Sequence, residues 1–151
     1  MVRIGSRAPD FKLRGMDGKV HSLKEFRSKY LVLYFYPKDL TPGCTMQAKA
    51  YTKSLGRIKR LGGAVVGVSK DSVESHRRFR SVCSIKFPLL SDPTSRVIKK
   101  YDSYGNRGVF GWGTIRNTFV IRNGRVVKMF KKVDPRKDPM QVIDFMRSQG
   151  S

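Results

Sequence analysis

Two stretches of continuous apolar residues predict the buried strands of a central sheet. Residues 30–36 are apolar or aromatic without interruption and lie between Lys29 and Pro37, which is the pattern of a strand buried on both faces. Residues 64–69 are the second run of this kind. Because such strands must be covered on both sides, the sequence predicts a sheet with helices on each face.

Helical patterns follow both runs. The spacing of apolar residues predicts a helix from residue 42 to about residue 61, which the glycines at 62–63 end. Asp71 or Ser72 can cap a second helix that continues to Cys83. Strands that alternate with helices in this way are typical of an α/β domain.

Turn signals and two shorter helices complete the order of elements. Asp17-Gly18 predicts the turn of an N-terminal β-hairpin, and Asn123-Gly124 predicts a second hairpin. Residues 104–114 are rich in glycine and aromatics and are interpreted as a loop. Asp92-Pro93 is expected to open a third helix. The closing helix is expected to begin near Asp138 and to bury one apolar face consisting of Met140, Ile143, Phe145 and Met146.

This order predicts one α/β domain over residues 1–151, with a mixed central sheet flanked by helices in a thioredoxin-like arrangement. The 151 residues are 39% hydrophobic, enough to bury a core without disulfides or metal. No apolar run is long enough to cross a bilayer, and no early segment has the pattern of a signal peptide. We therefore expect a cytoplasmic protein without a membrane partner.

Composition restricts the possible chemistry. The chain has two cysteines, Cys44 and Cys83, and two histidines, too few for a disulfide scaffold or a zinc site. Its net charge of +21 comes from 32 Lys plus Arg against 11 Asp plus Glu. Such a charge attracts anions and predicts at most weak, salt-dependent nucleic-acid binding. No tract combines clustered bases with stacking aromatics, so nucleic acid is not expected to be the principal partner.

Cys44 is the candidate nucleophile. It lies in the first turn of the helix predicted after Pro42, where free backbone N–H groups and the helix dipole favour a thiolate. Thr41 lies three residues earlier, so its hydroxyl can reach the sulfur. The plainer interpretation makes Thr41 an ordinary helix cap and Cys44 a small buried residue.

A family resemblance favours the reactive cysteine. The motif Pro37-x-x-x-Thr41-x-x-Cys44 resembles the peroxidatic motif of peroxiredoxins, and residues 35–45 resemble their bacterioferritin-comigratory, or Q-type, subfamily. Further matches in the order of that subfamily are Ala8-Pro9-Asp10-Phe11, Val68-Ser69-x-Asp71-Ser72, Ser75-His76, Phe87-Pro88-Leu89-Leu90-Ser91-Asp92 and Arg116-x-Thr118-Phe119-Val120-Ile121. The resemblance therefore covers nearly the whole chain.

The resemblance implies a thiol-dependent peroxidase that reduces hydrogen peroxide and organic hydroperoxides. Cys44 would attack and become a sulfenic acid, Thr41 would position the peroxide, Pro37 would shield the pocket, and Arg116 would pair with the thiolate. A thioredoxin-like or other thiol protein would return the enzyme to its reduced form. The resemblance implies no metal, haem, nucleotide or other cofactor, and we expect a monomer.

The sequence departs from the subfamily at two positions. Gln47 replaces the usual glutamate, which removes a carboxylate near Arg116. Lys49 replaces the second cysteine found there in many members, so a short-range disulfide is impossible. Other members carry that cysteine on the next helix, at a position that aligns near Arg80.

Cys83 is the remaining candidate for a resolving cysteine, which would form a disulfide with oxidised Cys44. It lies three residues after Arg80, about one turn along the same helical face. The alternative is that Cys83 fills an apolar position between Phe79 and Phe87. In that case an outside thiol reduces Cys44 directly.

Two other function classes fit less well. A basic nucleic-acid module on a peroxidase-like frame would explain the charge. A disulfide oxidoreductase would use a Cys-x-x-Cys motif, but Thr41 and Gln47 occupy the positions three before and three after Cys44.

Overall fold

A seven-stranded mixed sheet lies at the centre of the computed structural model, which describes residues 1–26 and 28–150. Its strands are β1 (Lys12–Gly15), β2 (Val20–Ser22), β3 (Tyr30–Phe35), β4 (Gly63–Ser69), β5 (Leu89–Ser91), β8 (Thr118–Arg122) and β9 (Arg125–Phe130), and β6 (Tyr104–Asn106) and β7 (Trp112–Thr114) form a separate hairpin. The order across the large sheet is β2-β1-β5-β4-β3-β8-β9. Strands β3, β4 and β5 are parallel, and the remaining pairs are antiparallel.

Strand β3 is buried along its whole length, between β4 and β8. Because side chains alternate across a strand, Val32 and Tyr34 point into one apolar cluster, and Leu31 and Leu33 point into the other. The predicted central strand is therefore confirmed, and its two faces carry the two halves of the core.

Within the described residues, four α-helices cover the sheet: α1 (Pro42–Arg60), α2 (Val73–Cys83), α3 (Arg96–Lys100) and α4 (Asp138–Ser148). Buried side chains of α1, α2 and α4 share one cluster, whereas Val97 and Ile98 of α3 belong to the other. No helix of residues 1–26 and 28–150 is long and apolar enough to span a membrane.

The predicted α/β class, with its thioredoxin-like mixed sheet and N-terminal hairpin, is confirmed. β1 pairs with β2 across the Asp17-Gly18 turn, with Lys12 opposite Ser22. Asn123 and Gly124 both adopt positive φ between β8 and β9, as a two-residue type I′ turn requires. Ser72 caps α2 and accepts a hydrogen bond from the Ser75 amide.

Three local predictions were wrong. Residues 104–114 are not a loop, because β6 and β7 pair within them. The third helix begins at Arg96, because the Asp92 carbonyl accepts the Ser95 amide in a turn that precedes it, and Ser95 has a left-handed φ of 59°. Met140 is 42% exposed, and Asp138, Pro139 and Val142 occupy the buried face of α4 with Ile143 and Met146.

Candidate active site

Cys44 lies in the first turn of α1, which follows the carboxyl end of the central strand β3 after a short connection. Pro42 occupies the first turn of the helix, where its missing N–H costs nothing. Thr45 donates its amide to the Thr41 carbonyl, so the helical bonds begin immediately around the cysteine. The Cys44 side chain is almost fully buried, at 2% exposure.

The connection between β3 and α1 holds Thr41 at the helix start. The Thr41 hydroxyl donates to the Lys38 carbonyl at 2.8 Å, which leaves its lone pairs free to accept another hydrogen bond. Leu40 adopts a left-handed φ of 63°, at a cost of about 1–2 kcal/mol for a residue with a Cβ. Pro37 is half-buried at the start of this connection.

Asp39 anchors this connection to helix α2. Its carboxylate accepts hydrogen bonds from the Tyr36 hydroxyl at 2.6 Å and the Ser75 hydroxyl at 2.7 Å, and it lies 2.7 Å from His76 Nδ1. The other ring nitrogen of His76 faces the Leu90 carbonyl at 3.0 Å, and a carbonyl can only accept. These four side chains therefore hold the connection that leads to Cys44 against helix α2.

Arg116 comes from the segment before β8 and reaches the sulfur. Its Nη1 lies 3.5 Å from Cys44 Sγ and donates to Gln47 Oε1 at 2.7 Å. A Cβ added at Gly43 would lie only 3.0 Å from Arg116 Nη2, so the guanidinium uses the space that this glycine leaves open. Cys44 and Arg116, both proposed from the sequence, are thus brought together.

Gln47 links this pair to a buried carboxyl group on α4. Its Nε2 donates to Asp138 Oδ2 at 3.0 Å, and the same oxygen accepts from the Tyr51 hydroxyl at 2.5 Å and the Thr118 hydroxyl at 2.7 Å. Burial raises the pKa of Asp138 above its usual value, although these hydrogen bonds and the nearby Arg116 charge act in the opposite direction. Oδ1 of Asp138 is buried without a hydrogen-bond partner among the described residues.

Tyr34 lies in the same apolar cluster as Cys44. Its ring stacks on Tyr51 with the ring centroids 4.8 Å apart, and its buried hydroxyl has no hydrogen-bond partner within residues 1–26 and 28–150. Burial raises the pKa of Tyr34 well above its usual value, and the negative charge of Cys44 adds to this effect. Gly67 makes room for the ring, because a Cβ there would lie 3.1 Å from it.

Cys83 is the last residue of α2 and is 8% exposed. It belongs to the same apolar cluster as Cys44, and both cysteines are free. Cys83 lies three residues after Arg80 in α2, as expected, but Arg80 is exposed while Cys83 faces the core with His76 and Phe79.

Sequence reasoning missed the roles of Asp39 and Asp138. Asp39 and His76 appeared in motifs that supported the resemblance, but only the fold shows that they bond to each other. Asp138 was placed only as a helix start, and its partner Gln47 lies 91 residues away. No local pattern could have connected them.

Comparisons with known proteins agree on one family. The model of the AhpC/TSA family matches residues 4–129. Putative peroxiredoxin bcp of Helicobacter pylori is 40% identical over 147 residues, which cover 95% of this chain and 97% of that protein. Peroxiredoxin Bcp of Bacillus subtilis is 38% identical over 136 residues, covering 87% of each chain.

Two solved structures share the fold of this chain. A mutant of Xylella fastidiosa PrxQ has a TM-score of 0.94 at 27% identity, covering 100% of this chain and 99% of that one. A Xanthomonas campestris bacterioferritin comigratory protein, a protein with alkyl peroxide reduction activity, has a TM-score of 0.91 at 28% identity, covering 100% and 98%. The whole chain therefore follows the fold of these two proteins.

Proposed function

The chain belongs to the AhpC/TSA family, as a peroxiredoxin of the Bcp or Q kind, and we propose that Cys44 is the residue through which it reduces hydroperoxides. The observation that carries this proposal is the 3.5 Å separation of Arg116 Nη1 from Cys44 Sγ at the start of α1. A thiolate there has a guanidinium and the helix-start amides beside it.

The first step transfers one oxygen atom to the sulfur. The Cys44 thiolate attacks the terminal peroxide oxygen, and an S–O bond forms as the O–O bond breaks. The electron pair leaves on the second oxygen, which takes up a proton and departs as water or an alcohol. Cys44 is thereby oxidised to a sulfenic acid while the peroxide is reduced.

Arg116 would stabilise the charge that develops during this step. Negative charge moves from sulfur to the leaving oxygen, and a donor fixed beside both lowers the barrier more than it stabilises the free enzyme. Gln47 holds the guanidinium by accepting from the same Nη1 that faces Cys44.

Thr41 and Pro37 would act on the substrate. Because the Thr41 hydroxyl donates to Lys38, it is oriented to accept from the O–H of a bound peroxide. Pro37, half-buried at the end of the strand that leads to the site, would keep water from the sulfur. Hydrogen peroxide and small organic hydroperoxides both offer the O–O bond and O–H that these residues contact.

Cys83 would return Cys44 toward the thiol. Its thiolate attacks the sulfenic sulfur, hydroxide leaves, and a Cys44–Cys83 disulfide forms that an external thioredoxin-like dithiol then reduces. A disulfide needs Cα atoms within about 7 Å. Because both cysteines are buried at helix ends, this step would involve local unwinding at the start of α1 or the end of α2.

The proposal is tested by following hydrogen peroxide consumption with dithiothreitol as reductant. Cys44→Ser should abolish turnover, whereas Cys83→Ser should retain it because dithiothreitol can reduce a sulfenic acid directly. Wild-type turnover by the Cys44→Ser protein would refute the assignment of the nucleophile.

The resolving step is tested by non-reducing peptide mapping after one equivalent of peroxide. A peptide pair joined through Cys44 and Cys83 supports the intramolecular disulfide. Persistent sulfenic acid at Cys44 with a free Cys83 thiol would instead show a one-cysteine cycle, in which an outside thiol reduces Cys44.

A further inference from the structure

A continuous hydrogen-bond chain runs from the reactive sulfur to the first turn of α4. Arg116 Nη1 lies 3.5 Å from Cys44 Sγ and 2.7 Å from Gln47 Oε1, and Gln47 Nε2 lies 3.0 Å from Asp138 Oδ2. Asp138 is fully buried. A carboxyl group in such a place costs folding free energy unless it is well bonded, so its position calls for an explanation.

The amide of Gln47 gives this series of hydrogen bonds a fixed donor-to-acceptor direction. Gln47 has one accepting end and one donating end, which are nearly equal in size and can exchange by rotation. An ionised carboxylate can only accept. While Asp138 accepts, the Gln47 amide must turn its Nε2 to α4 and its Oε1 to Arg116.

The neighbours of Asp138 hold the accepting oxygen in place. Tyr51 of α1 and Thr118 of β8 both donate to the same Oδ2 that Gln47 contacts. The Arg116 charge acts on Asp138, and the charges of Cys44, Asp138, Arg116 and Asp39 all act on Tyr34 in this pocket. All three hydrogen bonds therefore fix one carboxyl oxygen opposite Gln47.

We propose that Asp138 is a positioning residue for peroxide reduction, which sets the orientation of Gln47 and through it holds Arg116 against Cys44. The inference rests on the proposed role of Cys44. It also accounts for the glutamine at position 47, where the resemblance leads one to expect glutamate. Asp138 of α4 supplies a carboxylate instead, and Gln47 lies between it and the Arg116 guanidinium.

An exchange of amide and carboxylate tests this proposal. Gln47→Glu alone places two carboxyl groups at the 3.0 Å contact, where both cannot stay ionised. Asp138→Asn alone replaces a group that can only accept by an amide, which can present either its oxygen or its NH2 to Gln47. The double variant restores one carboxylate and one amide in reversed order, so Glu at 47 can accept from both Arg116 and the new amide.

Two readouts are expected to follow this pattern. Each single variant should lower the second-order rate with hydrogen peroxide by about tenfold or more, since misplacing a catalytic group by about 1 Å can cost about a hundredfold. The double variant should recover most of that loss. The pH midpoint for alkylation of Cys44 should rise in Asp138→Asn, because a cation withdrawn from the sulfur stabilises the thiolate less.

Asp144→Asn provides the matched control, because Asp144 is exposed on the same helix. It should leave rate and midpoint unchanged. If Asp138→Asn does not fold, Thr118→Val removes one donor to Oδ2 and should move the alkylation midpoint in the same direction.

Two outcomes would overturn the proposal. One is a double variant in which the two losses simply add, and the other is an Asp138→Asn or Thr118→Val protein that matches Asp144→Asn in both readouts. Failure of the proposed function would look different, because the wild-type protein would then not consume peroxide while the alkylation midpoints would still report on Arg116.

Discussion

The missing side chain at Gly43 allows Arg116 to lie beside the first turn of α1. Gly43→Ala would add a Cβ 3.0 Å from Nη2 and displace the guanidinium by a few tenths of an ångström. We expect the rate with hydrogen peroxide to fall by about tenfold. Stability should not fall, because alanine is the better helix former by about 1 kcal/mol. Peroxide kinetics and urea unfolding on the same protein measure both.

Gly56→Ala is the control for this substitution. Gly56 lies in the same helix but is exposed, and a Cβ there would approach only Arg60, at 3.6 Å. It should stabilise the helix by a similar amount and leave peroxide kinetics unchanged. If Gly43→Ala keeps the wild-type rate, close approach of Arg116 is not what position 43 provides.

Tyr34 and Tyr51 form a matched pair for testing buried hydroxyls. Their rings stack and both are fully buried, but only the Tyr51 hydroxyl has a partner among the described residues, Asp138. Tyr51→Phe should therefore lower the free energy of unfolding by about 1–2 kcal/mol, whereas Tyr34→Phe should leave it equal or raise it by up to about 1 kcal/mol. Urea titrations decide, and an equal loss in both variants would contradict the assigned hydrogen bonds.

At the scale of elements, local patterns predicted the parts that local physics determines. The unbroken apolar run of β3 and the Pro-Gly start of α1 required no knowledge of the rest of the chain. The hairpin of β6 and β7 was missed because its short strands contain glycines and lack a clear apolar alternation. Its exposed Val109, Phe110 and Trp112 also give no signal of burial.

The N-terminal hairpin contains the one partly buried histidine that faces two carboxylates. Partial burial lowers the pKa of His21, but hydrogen bonds to Asp17 and Glu25 outweigh it and raise the pKa above 6.5. The stability that His21 gains from Asp17 and Glu25 is therefore present below pH 6.5 while both carboxylates are ionised, and it is lost as the pH rises through the higher folded pKa of His21.

An NMR titration of the His21 ring checks this prediction. The midpoint should lie above that of a model peptide, and Asp17→Asn should bring it down because one of the two hydrogen bonds that favour the imidazolium is lost. A wild-type midpoint at or below the peptide value would show that burial, and not the carboxylates, controls the ring.

At the scale of the whole molecule, the net charge of +21 predicts weak binding to duplex DNA. Scattered Lys and Arg contact phosphates without reading bases. Binding should be independent of sequence, and raising salt from about 50 to about 200 mM should weaken it by orders of magnitude. A mobility-shift titration measures this, and binding that is sequence-specific and tolerant of salt would contradict it.

For this site, the sequence identified individual candidate residues but not the contacts between distant ones. Cys44 and Thr41 were candidates from their place at the predicted helix start, the resemblance added roles for Pro37 and Arg116, and the fold places Arg116 against Cys44. The partnership of Gln47 with Asp138 joins α1 to α4 across 91 residues, and it exists only because both helices pack on the same face of the sheet. Such contacts follow from topology, which a local pattern does not contain.

The claim that Cys44 is the residue oxidised by peroxide is tested most directly by a single turnover of the Cys83→Ser protein. One equivalent of hydrogen peroxide is added without reductant, a sulfenic-acid trap is present, and the peptides are mapped by mass spectrometry. We predict that the trap labels Cys44. When Arg116→Met is added to the Cys83→Ser protein and the reaction is stopped early, no label should form. Peroxide that is consumed while Cys44 remains an unmodified thiol would contradict the account.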